Sequence, residues 1–204
     1  MRLLSKEVFI PGRDGRPVFP GFVSYISAEK PWLLHRYGWV DASDTYDDFA
    51  DCLSYDNGRT WSAPVMKLTS RAVDGGRVRY AENACFFDAP RHRLLTFCSR
   101  ALYPADRINV DGRWEVVWDA YDPATGQWRG EEVIPHDLPG GLGISFCFPL
   151  LARSGRLLVP AYTPVLGEDG KPAHYPGCWA PLEASVTLQA EFAADGSLRW
   201  THGE

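Results

Sequence analysis

The sequence predicts an all-β fold, because it lacks long helical stripes and is rich in short apolar runs closed by turn residues. Aromatic residues make up 13% of the 204-residue chain, and its 19 Gly and 16 Pro are scattered rather than clustered. This profile is typical of many short strands joined by turns. The predicted strands are 17–26, 31–37, 48–55, 82–88, 93–98, 114–121, 144–151, 156–162 and 184–193.

The charge pattern argues against a nucleic-acid partner. The formal net charge is −5, and Lys and Arg form no clusters along the chain. Nucleic-acid binding depends on a basic surface that neutralises phosphates. No apolar stretch approaches the length of a membrane span, so none is predicted.

The N-terminal residues and the cysteines predict a cellular location. The apolar stretches of residues 1–17 are too short for the core of a signal peptide, which favours a cytoplasmic protein; a secreted or periplasmic one is the alternative if the true start lies upstream. The five cysteines include no Cys-x-x-Cys pair. We therefore expect buried free thiols rather than a disulfide framework, and no metal site.

One pattern recurs three times: a strand, an Asp–Gly turn, and a Trp that opens another strand. It covers residues 53–61, 120–128 and 192–200, so that Trp61, Trp128 and Trp200 lie roughly 70 residues apart. A repeat of about four short strands that closes on such a turn is typical of a β-propeller blade. The sequence predicts a partial propeller over residues 1–204, with blades of four antiparallel strands at roughly 10–70, 75–138 and 140–204. A β-sandwich with hairpins of similar length is the alternative.

The first of these turns carries a complete motif. Ser54, Asp56, Gly58, Thr60 and Trp61 match the pattern S-x-D-x-G-x-T-W at every specified position. We expect the Ser and Asp side chains to bond backbone groups across the turn, the Gly to permit the backbone conformation, and the Trp to pack beneath it. The second and third turns keep only their Asp, Gly and Trp. The motif is therefore predicted to be structural rather than catalytic.

This motif resembles the Asp-box of the sialidase (neuraminidase) superfamily, also called the BNR repeat. Residues 33–64 resemble the opening blade of that family, and residues 148–162 resemble a later segment. The resemblance implies that this chain corresponds to the N-terminal half of a six-bladed propeller. It also implies a carbohydrate substrate and no cofactor, with the missing C-terminal half as a candidate partner.

The resemblance also implies which residues form the site. Arg36 matches the arginine of the first blade that binds the sugar carboxylate, and Arg100 is a second candidate for substrate binding. The family places an acid/base Asp in the loop between that arginine and the first Asp-box. Asp44 is the best match, and Asp41 is the next. Glu82 and His174 are weaker candidates for lining the pocket.

Two departures from the family pattern bear on the activity. The Arg-Ile-Pro element of sialidases is replaced by Val18-Phe19-Pro20, and the family's Tyr nucleophile is expected beyond Glu204. The leading prediction is a sialidase-like exo-glycosidase that releases a terminal sialic acid or a related sugar with retention, inactive as this chain alone. The alternatives are a non-catalytic Asp-box propeller that binds glycans or proteins, and an Asp-box glycosidase or lyase that acts on another sugar.

Overall fold

Strands dominate the computed structural model. It describes residues 10, 12, 14–42, 45–107, 112–144, 148–177 and 181–202, without the side chains at 41, 42, 45–47 and 202. The strands form three antiparallel sheets in chain order. The all-β prediction is confirmed, and the described residues contain one short 3₁₀ turn, Ala89–Arg91, and no α-helix.

Sheet 1 contains β1 (Val18–Tyr25), β2 (Leu33–Ala42), β3 (Thr45–Ser54) and β4 (Val65–Leu68), paired in that order. Sheet 3 contains β11 (Leu150–Leu151), β12 (Leu157–Pro164), β13 (Glu183–Phe192) and β14 (Leu198–His202), also paired in that order. Both have the four strands that the repeat predicts.

Sheet 2 departs from the four-strand prediction. It contains β5 (Arg71–Val73), β6 (Gly76–Asp88), β7 (Arg93–Pro104), β8 (Arg113–Asp122), β9 (Gln127–Trp128) and β10 (Glu132–Val133). Three of these six, β5, β9 and β10, are strands of only two or three residues. Runs this short carry no periodicity that a sequence pattern can reveal.

The sheets pack face to face, each on the next one along the chain. Two buried clusters join sheet 1 to sheet 2, and a larger cluster joins sheet 2 to sheet 3. The largest cluster includes Phe97, Trp118, Leu142, Ile144, Val159 and Leu188. Strands alternate their side chains between two faces, so sheet 2 contributes one face to each neighbour.

Two motif tryptophans bind the sheets together. Trp128 lies under two cations of sheet 1, with Arg36 Cζ 5.0 Å and Lys67 Nζ 4.3 Å from its ring centroid. Trp200 makes edge contacts with Phe97 and Trp118 of sheet 2. Each of these indole rings therefore packs on the sheet that precedes it in the chain.

Equivalent strand ends lie on the same side of the molecule. The turns 55–61, 123–126 and 194–197 follow β3, β8 and β13, and we call this side the turn end. Arg93, at the start of β7, donates to the carbonyl of Gly196 at 2.6 Å, which ties two turn ends together. The opposite side, where β3, β8 and β13 begin, is called the far end.

Candidate functional site

The turn at 54–61 is held by its own side chains. Ser54 Oγ donates to Asp56 Oδ1 at 2.9 Å and accepts from the Gly58 amide at 2.8 Å. Asp56 accepts from both the amide and the hydroxyl of Thr60, at 2.8 and 2.6 Å. Trp61 Nε1 donates to the Gly58 carbonyl at 3.2 Å, and Gly58 has φ +82°. Every polar group of the motif is thus used within the turn.

Those bonds change the acidity of Asp56. The Thr60 hydroxyl and amide stabilise the ionised carboxylate and lower the pKa of Asp56 to about 2. A carboxylate that stays ionised in acid and points into its own turn is poorly placed to deliver a proton. This geometry agrees with the structural role predicted from the sequence.

Arg36 has an internal carboxylate where the sequence led us to expect a sugar carboxylate. Its Nε and Nη2 donate to the two Asp51 carboxylate oxygens at 2.8 and 2.9 Å. The guanidinium also lies against the rings of Phe22 and Trp128, and Arg36 is only 1% exposed. Its planar fork is therefore occupied and covered, in the bidentate geometry that a bound carboxylate would need.

The structure does not test the predicted acid/base residues. Asp44 lies outside the described residues, and Asp41 lies in β2 without a described side chain. The strands that flank them, β2 and β3, meet at the end of sheet 1 opposite the 55–61 turn. The roles of Asp44 and Asp41 stay predictions.

Arg100 belongs to a polar network on sheet 2. It bonds Glu115 at 2.7 Å and Glu131 at 3.2 Å, and Glu131 also accepts from the Tyr80 hydroxyl at 3.1 Å. These groups link β6, β7, β8 and the segment before β10. Arg100 is outside the lining of the cavity described next, so its predicted contact with substrate has no support from this arrangement.

A cavity of about 1350 Å³ opens at the far end, and its lining comes from sheet 2, sheet 3 and their connections. We call it the cleft. It is bounded by the start of β8, by the segment 139–143, by the end of β12 with the start of β13, and by the connection 166–174 between those two strands. The cleft therefore lies at the strand ends opposite the motif turns.

One wall of the cleft is built from three cross-strand pairs of sheet 3. Pro160 faces Thr187, Tyr162 faces Ser185, and Pro164 faces Glu183. These six side chains share a face because alternate residues of a strand point the same way. The intervening residues of β12, such as Val159 and Ala161, point into the core against sheet 2.

The segment 139–143 crosses from sheet 2 to sheet 3 and forms another wall. The Leu142 amide donates to the Trp114 carbonyl at 3.1 Å, and Gly143 exchanges two backbone bonds with Tyr162 at 3.0 and 2.8 Å. Glycine is needed here, since a Cβ on Gly141 would lie 2.8 Å from the Trp114 carbonyl oxygen. The Gly-rich stretch therefore permits a close backbone crossing.

Tyr162 projects into the cleft from β12 and is fixed by its neighbours. Its hydroxyl hydrogen-bonds Ser99, and the ring lies directly over Gly143. Burial, reinforced by the Glu82 and Glu183 carboxylates, raises the pKa of Tyr162 well above its ordinary value. Tyr162 is therefore a neutral hydroxyl group within the cleft.

A β-bulge brings Glu82 to the cleft. In the β6–β7 ladder Tyr80 pairs Arg100 and Asn83 pairs Cys98, so Ala81 and Glu82 share the single opposing position. Such a bulge breaks the alternation and redirects one side chain. Glu82 was a weak candidate on sequence grounds, and the structure places it in the lining.

The charged lining has an open cationic pair. Arg113 and Lys171 are exposed, and among the described residues their side chains make no hydrogen bond or ion pair. The acidic lining residues are Glu82, Asp169 and Glu183, and partial burial raises the pKa of Glu183. His174, the other weak candidate, also lines the cleft. The sequence analysis missed Arg113, Lys171 and Glu183, since nothing in their local pattern marks them.

Neither a metal cluster nor a membrane helix is found in the part of the chain that the structure describes. No three His, Cys, Asp or Glu side chains there are grouped so that they could hold a metal ion. No helix within those residues is long and apolar enough to span a bilayer.

The fold is similar to that of solved carbohydrate-active enzymes. The chain matches a polysaccharide lyase of family PL25, an ulvan lyase, with a TM-score of 0.58 at 12% identity, over 91% of this chain and 43% of the lyase; a second structure of it, bound to -[GlcA(1-4)Rha3S]-, matches equally. The NanB sialidase of Streptococcus pneumoniae matches with a TM-score of 0.55 at 9% identity, over 94% of this chain and 45% of NanB.

These similarities establish a sialidase-like propeller fold. No family model matches the sequence, and no curated protein matches it. The chain spans less than half the length of the solved structures to which it is similar. The fold is one that carbohydrate-active enzymes use, and the activity has to be argued from the site.

Proposed function

We propose that this chain is part of a carbohydrate-active enzyme that cleaves an acidic glycan in the cleft lined by sheets 2 and 3. One observation carries the proposal: the cleft is lined by two cations that have no side-chain partner among the described residues, Arg113 and Lys171, and by an acid of raised pKa, Glu183. A glycan with a carboxylate or sulfate supplies the anion that these cations lack.

Recognition of the sugar follows from the lining. The guanidinium of Arg113 presents parallel N–H donors to a carboxylate, and the Lys171 ammonium adds a point charge. Glu82 and Asp169 accept hydrogen bonds from sugar hydroxyls, and the neutral hydroxyl of Tyr162 can donate or accept. A mixed lining of this kind suits a hydroxyl-rich ligand with one anionic group.

Glu183 is the acid that the described geometry offers for bond cleavage. Cleavage of a glycosidic bond requires a proton on the departing oxygen, and a carboxyl group with a raised pKa retains that proton closer to neutral pH. Glu183 meets this requirement. Asp44 and Asp41 remain the acid/base candidates on sequence grounds.

The specific form of the reaction has two candidates. Hydrolysis that releases a terminal sialic acid or a related sugar is the form that the sequence resemblance predicts. Elimination by a lyase is the second candidate; it is favoured by the similarity to the ulvan lyase and by cations that would neutralise a uronate carboxylate. The occupied fork of Arg36 removes one argument for sialic acid in particular.

Turnover and binding assays on one protein separate these forms. A fluorogenic sialoside reports hydrolysis, and the ultraviolet absorbance of unsaturated products from ulvan reports elimination. Glu183→Gln should lower either activity by roughly 10²–10⁴-fold, and Asp44→Asn serves as the parallel test of the sequence prediction.

Calorimetry completes the comparison. We expect Arg113→Ala with Lys171→Ala to abolish binding of acidic but not of neutral saccharides. Full binding by that double variant would contradict the proposed site. Binding without turnover on any substrate would favour a non-catalytic glycan-binding propeller.

A further inference from the structure

We propose that the cleft takes an internal stretch of an acidic polysaccharide rather than a single terminal sugar. This inference rests on the proposed function, because it assumes that the cleft binds a glycan. It adds a second binding region on sheet 3, formed by the three cross-strand pairs Pro160–Thr187, Tyr162–Ser185 and Pro164–Glu183. We call these six residues the rail.

The size of the cleft is the first argument. Its volume of about 1350 Å³ exceeds the ~300–1,000 Å³ of pockets that enclose one small ligand. Its lining extends from Arg113 at the start of β8 to Thr187 within β13. A single sugar held by the cations would leave the outer part of this space empty.

The length of the rail is the second argument. Its side chains alternate along β13 from Glu183 to Thr187, a distance of ~13 Å at ~3.3 Å per residue. That length exceeds a pyranose ring built from bonds of about 1.5 Å. Consecutive sugars can therefore lie along the rail.

The chemistry of the rail matches the two sides of a sugar ring. The β12 residues Pro160, Tyr162 and Pro164 offer flat ring surfaces, and Glu183, Ser185 and Thr187 on β13 offer carboxylate and hydroxyl groups. A pyranose has an apolar C–H face and a polar hydroxyl edge. The C–H face of the sugar can pack on the β12 rings, while its hydroxyl edge hydrogen-bonds to the β13 side chains.

The rail has a defined end. Beyond Thr187 the same face of β13 continues with Gln189 and Glu191, and Arg156 lies across both. Arg156 is 3.1 Å from Glu191 Oε1 and 3.4 Å from Gln189 Oε1. The polar groups past Thr187 are thus bonded to each other, and the rail residues remain exposed or half-buried.

The test measures affinity against chain length in two acidic series. Free glucuronate with ulvan di-, tetra- and hexasaccharides forms one series, and sialic acid with its α-linked oligomers forms the other. Titration calorimetry on the 204-residue protein should show an increase of at least about tenfold in affinity from the disaccharide to the tetrasaccharide of one series.

Two variants locate that increase. Ser185→Ala with Thr187→Ala should reduce the tetrasaccharide affinity to near that of the disaccharide. Thr201→Val, an exposed threonine on β14 outside the cleft, is the matched control and should retain the full increase. Circular dichroism spectra establish that both proteins are folded.

The possible failures are distinguishable. Equal affinity at every chain length, or an increase that survives the double rail variant, overturns the extended rail and leaves the proposed function standing. If no member of either series binds, both the proposed function and the extended rail are overturned, because the rail is proposed as part of a glycan-binding cleft.

Discussion

Arg36 shows how burial decides the role of a charged residue. The family resemblance predicts that Arg36 binds the carboxylate of a sugar. In the structure its side chain pairs with Asp51 inside the interface of sheets 1 and 2. A buried ion pair costs desolvation, and it is tolerated only when both partners are well bonded. Removing one partner would leave an unpaired charge in an apolar surrounding.

We therefore expect Asp51→Ala to destabilise the fold by ~3–5 kcal/mol. Asp51→Leu combined with Arg36→Met should recover most of this loss, since no buried charge then remains. Urea denaturation curves of the three proteins measure the differences. A loss of less than about 1 kcal/mol in Asp51→Ala would mean that the ion pair is solvated.

Asp56 makes a prediction about acid stability. Its pKa falls from the ordinary 3.8 to about 2 in the folded turn, so its hydrogen bonds contribute fully above the unfolded pKa. That contribution is lost as the pH falls through the folded value. Asp56→Asn should therefore melt at a lower temperature than the wild type at neutral pH, and the difference should shrink between about pH 4 and pH 2.

Thermal melts at several pH values test this. Asp74→Asn, which removes the same charge from the turn between β5 and β6, is the control. A gap between Asp56→Asn and wild type that stays constant down to pH 2 would contradict the assigned cause.

At the scale of elements, the crossing segment 139–143 fixes the shape of the cleft. Tyr162 is held against Gly143 by two backbone bonds and by direct contact of its ring with the glycine. A Cβ at position 143 would lie 2.6 Å from Tyr162 Oη and 2.7 Å from Cε2. An aromatic ring anchored in a strand cannot yield as a flexible side chain does.

Gly143→Ala should therefore cost ~1–3 kcal/mol of stability and reduce turnover by up to about 10²-fold through displacement of Tyr162. Gly167→Ala is the matched control, because its added Cβ would meet the flexible end of Asp169 at 3.2 Å and the Lys171 carbonyl oxygen at an ordinary contact distance of 3.7 Å. Unfolding curves and kcat values report the two effects. Equal behaviour of the two variants would show that Tyr162 has room to move.

The elements also show what sequence patterns can predict. The long strands were found because hydrophobic alternation and turn residues are local properties, and nine predicted runs overlap nine observed strands. The missed strands β4, β5, β9, β10 and β14 are mostly two to four residues long, too short for a period to show.

The candidate site was harder to predict for a different reason. The partner of Arg36 is its cross-strand neighbour Asp51, and Glu183 faces Pro164 across β12 and β13. Both pairs depend on the register between two strands. The bulge that turns Glu82 into the cleft likewise depends on the opposing residue, Ser99. No spacing within a single strand reveals such contacts.

At the scale of the whole molecule, the cleft predicts the pH dependence of activity. The proposed reaction uses protonated Glu183, and partial burial raises the pKa of this residue. Activity should therefore persist to higher pH than an ordinary Glu would allow, and should decline as the pH rises through that pKa. A pH–rate profile of Glu183→Gln that still shows the alkaline decline would assign it to another group.

The contacts of the motif tryptophans have a consequence for protein synthesis. Trp128 docks on Arg36 and Lys67, and Trp200 docks on Phe97 and Trp118. Each sheet therefore packs on a sheet that was synthesised before it. The contacts join sheets that are neighbours along the chain, so the loops that must close during folding are short, and no sheet depends on one that is made two sheets later. Once Trp128 has emerged from the ribosome, the nascent chain already contains every residue of both clusters between sheets 1 and 2.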